Sequence, residues 1–417
     1  VSWSGTVDPI FVFGHVSGID ILIVVIRLLV GFGALMGAVT MMIWFERKAI
    51  SDMQSRIGPQ RWGPFGLLQT LADGIKLFFK EDLIPDQADR FVFKLAPYLA
   101  LVPAIITFAI VPVGGTLHIA GHTVLLQIAN PPIGILLMLA MSGISVYGVM
   151  LAGWASGSKY PLISSVRATA QMISYEAALG ITIVTVVLVT GSLSTHNIVT
   201  SQGGGVWHWN VIRLGFVPFI IFWIAITAEL NRPPFDVVEA DSELVGGFNT
   251  EYSSIRFALF YMAEFMNTIT MSAIIVTLFF GGPAGWVPPV AHLKWVFPIL
   301  WFVIKTTIFC FCYIWFRAAL PRFRYDQVMD LGWKRLIPLS LGWMLIVAGF
   351  LVKPAWGLLM AAAVLFASVV LGRAFVLGQS RESGGDSVLP PVGQRPLPGR
   401  VLRAFTDHES DPEEGES

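Results

Sequence analysis

The chain reads as an all-α polytopic membrane protein, with about nine transmembrane helices and an interfacial amphipathic helix in its first cytoplasmic loop. Three observations lead there. Hydrophobic residues make up 55% of the 417 residues and charged residues only 13%. Apolar runs recur at the length, roughly 20 residues, that lets a helix cross a bilayer. Between these runs, Lys and Arg crowd into some loops and are missing from others.

Taken in order, the apolar runs place spans at 21–45, 95–117, 131–153, 168–192, 214–231, 256–281, 295–319, 336–352 and 355–377. Residues 1–19 lack a basic start and a small-residue cleavage site, so they do not read as a removable signal peptide and are expected at the membrane surface. The first loop carries Arg47, Lys48, Arg56, Arg61, Lys76, Lys80, Arg90 and Lys94, and the loop after the seventh span carries Arg317, Arg322, Arg324, Lys334 and Arg335. Segments 118–130 and 193–212 hold neither Lys nor Arg. The positive-inside bias then puts the N-terminus outside, with the basic loops and the C-terminal tail in the cytoplasm. From Gly378 onward the chain is rich in Pro, Gly, Ser and charge and cannot bury a core. Residues 1–377 are therefore expected to form one transmembrane helical domain and 378–417 a disordered cytoplasmic tail.

The first loop, 46–94, is longer than a connector needs. Gly58-Pro59 and Gly63-Pro64 are turn signals. Beyond Pro64 the period becomes helical, with Leu67, Leu68, Leu71, Ile75 and Phe78 on one face and Asp73, Lys76 and Lys80 elsewhere. That pattern predicts an amphipathic helix lying in the membrane interface. Trp62, Phe65, Phe78 and Phe79 argue against a merely solvated loop, because exposed aromatics need protein or lipid to pack on.

The segment 228–267 holds seven acids, Glu229, Asp236, Glu239, Asp241, Glu243, Glu251 and Glu264, with only Arg232 and Arg256 among them. A carboxylate at the bilayer centre costs roughly 2.5–3.5 kcal/mol on insertion scales, so intramembrane acids read as functional. Asp236, Glu239 and Glu243 fall at i, i+3 and i+7, one face of a helix if the segment is helical. Like charges that close cannot all ionise, so such a cluster is suited to binding and passing protons. The plainer alternative is a solvated acidic loop balanced by its two arginines. Glu176 and Glu264 lie about two turns inside the fourth and sixth spans; each either pairs structurally or extends the acid line through the bundle interior.

Other chemistry is not indicated. Zero net charge, 27 basic against 27 acidic side chains, argues against nucleic acid. Cys310 and Cys312 do not share a helix face and read as small core residues. No histidine falls in the acid region, so no metal site is expected. No glycine pattern for a dinucleotide sits in a strand–helix setting.

Four blocks of residues then carry a family resemblance. The first is Glu46-Arg47-Lys48, Gln54-x-Arg56-x-Gly58-Pro59, Gly63-Pro64-x-Gly66, Gln69, Asp73-Gly74-x-Lys76-Leu77 and Lys80-Glu81. The second runs from Gly153-Trp154-Ala155-Ser156 through Ser158-Lys159-Tyr160 and Arg167-Ala168 to Ser174-Tyr175-Glu176. The third is Ala228-Glu229-Leu230-Asn231-Arg232-Pro233-Pro234-Phe235-Asp236, with Glu239, Ser242-Glu243-Leu244 and Gly247-Phe248-Asn249-x-Glu251-Tyr252. The fourth is Pro321-Arg322-Phe323-Arg324-Tyr325-Asp326-Gln327. Together, from about residue 20 to 352, they resemble the family of membrane subunits of respiratory complex I, the NADH-quinone oxidoreductase, that adjoin the quinone site. Two positions depart from the family pattern: Asp241 stands where Glu is usual, and Leu230 where Thr is usual.

The resemblance implies a multi-pass subunit of a bacterial plasma membrane, assembled with other membrane and peripheral subunits. FMN and iron–sulfur clusters are expected in those partners, and a quinone is the substrate. The chain itself is expected to bind no cofactor and to contribute no catalytic group. Glu46, Arg47, Arg56, Phe65, Asp73, Lys76, Glu81, Arg232, Phe235, Asp236, Phe257 and Tyr261 are the candidate quinone-tunnel residues, supplying polar groups and aromatic walls. Glu176, Glu229, Glu239, Asp241, Glu243, Glu251 and Glu264 are the candidate proton relay. Arg317, Arg322, Arg324 and Asp326 form a charged patch that either anchors the span at the interface or docks a peripheral subunit. Two rivals remain at this point, the ion-coupling anchor subunit of a membrane-bound hydrogenase and a stand-alone ion-coupled transporter. The full third and fourth blocks argue against the former, and the lack of an internal repeat against the latter.

Overall fold

The computed structural model describes residues 18–119, 122–238, 246–287 and 295–385. The first helix, α1 (Gly18–Met53), buries a single stripe, Leu35, Val39, Met42, Ile43 and Glu46, and turns Ile21, Leu22, Val25 and Leu29 outward. That spacing is one face of a helix, and the outward face suits lipid. After a short 3-10 turn at Pro64–Gly66 comes α2 (Gln69–Phe79), the expected amphipathic helix. Gly66 is left-handed there, and a Cβ would lie 2.3 Å from the Pro59 carbonyl oxygen, so only glycine fits.

Three long helices follow: α3 (Arg90–Ala109), α4 (Gly134–Ala155) and α5 (Lys159–Thr190). The Asp89 side chain accepts from the amides of Phe91 and Val92, which caps α3 several residues before the expected start of the span. The same span was expected to reach residue 117, but α3 stops at Ala109. Pro112 cannot donate, and Gly114-Gly115 favours a turn, so the chain passes into an antiparallel hairpin, β1 (Thr116–Ile119) with β2 (His122–Leu125). Between α5 and the next span lie the short helices α6 (Thr195–Ser201) and α7 (Asn210–Arg213).

Helix α8 (Phe216–Glu229) is a shorter apolar helix, and α9 (Ser254–Phe279) occupies the centre of the bundle. Between Phe265 and Phe279 every α9 side chain except Asn267 is buried. It packs against α1, α2, α3, α6, α8 and α10 (Val296–Ala319). The described residues end with α11 (Tyr325–Asp330), a π-helical stretch at Leu331–Leu336, α12 (Ile337–Val352) and α13 (Pro354–Gly385). The π stretch makes one rod of α11 and α12, so the eighth span is longer than the 336–352 expected from its apolar run. Among the described residues, seven helices are long and apolar enough to cross a membrane: α1, α3, α4, α5, α9, α10 and the Tyr325–Val352 rod. The shorter apolar helices α8 and Pro354–Ser368 lie at the fifth and ninth expected positions. The protein is all-α in class and multi-pass in the membrane, apart from the one small hairpin.

Candidate functional site

The site is built around Arg232, which lies in the turn after α8. Residues 231–238 are not helical, so Asp236 does not begin the helical acid face that its spacing allowed. Pro233 and Pro234, joined by a cis peptide, cannot donate to a helix ladder. The turn is pinned instead by the buried Gln171 of α5, whose amide nitrogen lies 2.8 Å from the Ala228 carbonyl oxygen and 2.9 Å from that of Phe235. Periodicity does not single out Gln171, although a lone amide inside an apolar span is itself a signal that a polar partner is near.

Pinned in this way, Arg232 is almost wholly buried. It donates to Glu46 of α1 at 3.2 Å and pairs with Glu264 of α9 at 3.1 Å, with its guanidinium over the Phe265 ring at 4.9 Å. Arg317, at the end of α10, also donates to Glu46. Four parts of the fold therefore meet in one charge network. Buried carboxylates require such partners, because an unpaired buried charge is strongly destabilising.

A cavity of ≈ 80 Å³ starts at Glu264 and reaches Glu229, with Tyr261, Asn231, Asn249, Asn267 and Ser145 in its lining. Its lining is mainly apolar, with these polar groups set into it, and it has room for several water molecules. Glu229 is buried; its Oε1 accepts from Ser142 of α4, and its Oε2 has no hydrogen-bond partner among the described residues. Glu176 of α5 reaches the neighbouring residue of α4, its Oε1 lying 3.6 Å from where a Cβ of Gly143 would be. Glu176 and Glu229 are close enough to interact electrostatically. Ser142 and Gly143 are thus a further pair to which spacing does not point.

The first-loop residues form a second part of the site. Arg47 bonds Asp73 of α2 and lies beside Tyr261, so α1, α2 and α9 share one polar edge. Asp73 also accepts from Gln69 at 3.3 Å and has Lys76 at 4.0 Å. Next to this edge an apolar groove of ≈ 360 Å³ opens between α1 and α2, lined by Thr40, Thr70, Leu71, Gly74, Ile75, Phe78 and Phe79. Phe257 stacks on Tyr261 at 6.1 Å, both half-buried.

Other expected site residues fall elsewhere. Phe65 is 77% exposed and does not line the groove, while its carbonyl oxygen accepts from Trp44. Phe235 is buried between Tyr175 and Phe323, each 5.5 Å away, and so packs the turn rather than a tunnel wall. Arg56 and Glu81 are exposed, and Glu251 is half-buried in the turn before α9. Glu239, Asp241 and Glu243 lie outside the described residues. The charged patch after the seventh span is divided: Arg317 turns to Glu46, and Arg322 pairs with the buried Asp236 at 3.1 Å. Arg324 and Asp326 pair with each other at 3.4 Å, and Arg317 and Arg322 are also exposed. The reason is electrostatic, since the buried carboxylates of Glu46 and Asp236 draw in cations from elsewhere in the fold.

Comparison with known proteins bears on the family of the chain. The chain matches the NADH dehydrogenase family over residues 26–348. It is 51% identical over 315 residues to a Frankia alni protein named as the H subunit of NADH-quinone oxidoreductase, covering 74% of this chain and 68% of the relative. A Streptomyces avermitilis protein of the same name is 47% identical over 337 residues, covering 78% and 72%. A Koribacter versatilis protein, named as a second H subunit of that oxidoreductase, is 46% identical over 345 residues, covering 79% of this chain and 97% of the relative. With the four sequence blocks in order and the family match spanning most of the chain, the protein belongs to the NADH dehydrogenase family, that of the membrane H subunits of NADH-quinone oxidoreductase.

Proposed function

We propose that the chain lines the membrane side of a quinone tunnel and begins the acid line that couples quinone reduction to proton translocation. The observation that carries this reading is the continuity of titratable groups from the groove inward. Arg47 and Asp73 join the two helices between which the groove opens, Glu46 precedes Arg47 on α1, and Arg232 links Glu46 to Glu264. The cavity then runs from Glu264 to Glu229, beside which Ser142-Gly143 leads to Glu176.

The chemistry follows from the parts. An apolar groove suits a quinone's tail, and the few polar groups at its inner edge suit the head. Electrons arrive from partner subunits; reduction to quinol consumes protons, and the change of charge biases the nearest carboxylates. Arg232, shared between Glu46 and Glu264, transmits that bias, because its attraction for one carboxylate competes with the other. Glu264 and Glu229, joined by the cavity, then exchange a proton in turn. Moving one charge against about 100 mV costs about 2.3 kcal/mol, so the relay must be tied to the redox step. Glu239, Asp241, Glu243 and Glu251 belong to the same proposed relay on the cytoplasmic side.

The test is Glu229→Gln in the purified complex. Glutamine keeps the shape and the acceptor for Ser142 but cannot carry the proton. The expected outcome is normal assembly with NADH–quinone turnover and proton translocation reduced by at least about tenfold. Unchanged turnover and pumping would show that the acid line has no part in coupling.

A further inference from the structure

We propose that the start of α9, through Ser253, Ser254 and Arg256, is the clamp that holds α2 in place and sets the width of the α1–α2 groove. Ser254 is in this sense a positioning residue for the substrate's path, an inference that rests on reading the groove as the route of the quinone tail.

Helix α2, described in full, has no buried side chain. Its apolar face is open, with Leu71, Ile75, Phe78 and Phe79 between 53% and 83% exposed. Burial within the chain therefore does not fix its position, and polar tethers must. Its first half has two of them: Thr70 Oγ1 donates to the Thr40 carbonyl oxygen at 3.4 Å, and Arg47 bonds Asp73. The C-terminal end is held by α9. Ser254 Oγ lies 2.7 Å from the Lys80 carbonyl oxygen and 3.0 Å from that of Leu77. Its one proton is shared between carbonyls that a helix leaves unpaired at its C-terminus. Ser253 Oγ accepts from the Leu83 amide at 2.9 Å, and Arg256 pairs with Asp82 at 2.9 Å.

The base of this clamp is rigid. Tyr252 stacks on Phe93 of α3 with ring centroids 4.0 Å apart and planes 3° from parallel, and its hydroxyl donates to the Phe93 carbonyl oxygen. Burial pushes the Tyr252 phenol up from its ordinary value, so it remains a neutral donor. The Arg256 guanidinium lies over the same Phe93 ring at 5.6 Å. The clamp thus refers the C-terminal end of α2 to the packed α3–α9 interface, while its first half is tied to α1 across the groove.

Ser254→Gly is the informative variant, because Ser254 has φ 54° and glycine adopts that conformation without strain. It removes the hydroxyl and little else. In the assembled complex, amide hydrogen exchange over residues 69–80 is expected to rise about tenfold, the scale of one lost hydrogen bond. With a decyl-substituted benzoquinone as probe, KM is expected to rise severalfold with kcat unchanged, the split that separates positioning from chemistry. Asp82→Asn, which weakens the second tether, should move both readouts the same way. Unchanged exchange over α2 in both variants overturns the clamp. Raised exchange with an unchanged quinone KM upholds the clamp's hold on α2 and overturns the groove as the quinone's route.

Discussion

Arg232 is 3% exposed and bridges carboxylates that come from helices far apart in the chain, Glu46 in α1 and Glu264 in α9. A guanidinium presents a planar fork of donors, so it serves two carboxylates at once where an ammonium serves them poorly. Removing it leaves Glu46 with Arg317 alone and Glu264 without its closest cation. Arg232→Met is accordingly expected to destabilise the subunit by about 3–5 kcal/mol, the usual consequence of breaking a buried ion pair from one side. Thermal unfolding of the purified complex measures it. The double variant Arg232→Met/Glu264→Gln should recover part of the loss, and additive losses would show that the two residues are not coupled. At this scale the sequence was legible in residue type but not in pairing. The acids and Arg232 stood out because charge is rare in an apolar chain, whereas their partners depend on tertiary approach. Ser142 and Gln171 gave no periodic signal, since a serine in a membrane helix often bonds its own backbone. In the sequence Arg317 and Arg322 read as part of a charged patch; both are exposed, and their pairing with Glu46 and Asp236 likewise depends on tertiary approach.

Between α3 and α4 the contact is made by small residues. Ala96, Ala100 and Ala104 of α3 and Ser145, Gly148 and Ala152 of α4 are all buried. A Cβ at Gly148 would lie 2.8 Å from the Ala100 backbone nitrogen, so the two backbones approach as closely as glycine permits. In lipid no hydrophobic gain drives helices together, and such close approach supplies the packing that does. Gly148→Leu is therefore expected to push α3 and α4 apart and cost at least about 1–3 kcal/mol by overpacking. A lower dissociation temperature of the subunit from the complex would register it, and an unchanged temperature would place the interface elsewhere. Both helices were legible from their apolar runs and α2 from its period. The β1–β2 hairpin was not, because Thr116–Leu125 is too short and mixed to separate a strand from a span end. The π stretch at Leu331–Leu336 also escaped notice: its extra residue per turn leaves composition unchanged and shows only in the backbone, where Trp333 within it donates to Ser174 at 2.9 Å.

At the scale of the whole molecule, the order and class of the spans were readable because a bilayer admits few solutions for apolar runs of this length. The family match ends at residue 348, and α13 begins just beyond it. Among the described residues α13 packs chiefly against α12, at a close approach of Gly349 and Gly357 and at the contact of Gly342 with Val364. Trp356, Leu358, Leu359, Leu365 and Phe366 are 51–73% exposed. The described part of α13 lines neither the cavity nor the groove and takes no part in the Arg232 network. A helix with one main neighbour and an apolar exterior can be exchanged for lipid at little cost, because lipid tails are as apolar as the side chains they would replace. Truncation after Val352 is therefore expected to leave the complex assembled, with NADH–quinone turnover within about twofold of the full chain, a change of about 0.4 kcal/mol in barrier height. Size-exclusion of the purified complex and steady-state kinetics together test this. Loss of assembly on truncation would mean that the exposed face of α13 is occupied by a neighbouring subunit, and the boundary of the functional unit would then lie beyond the family match rather than at α12.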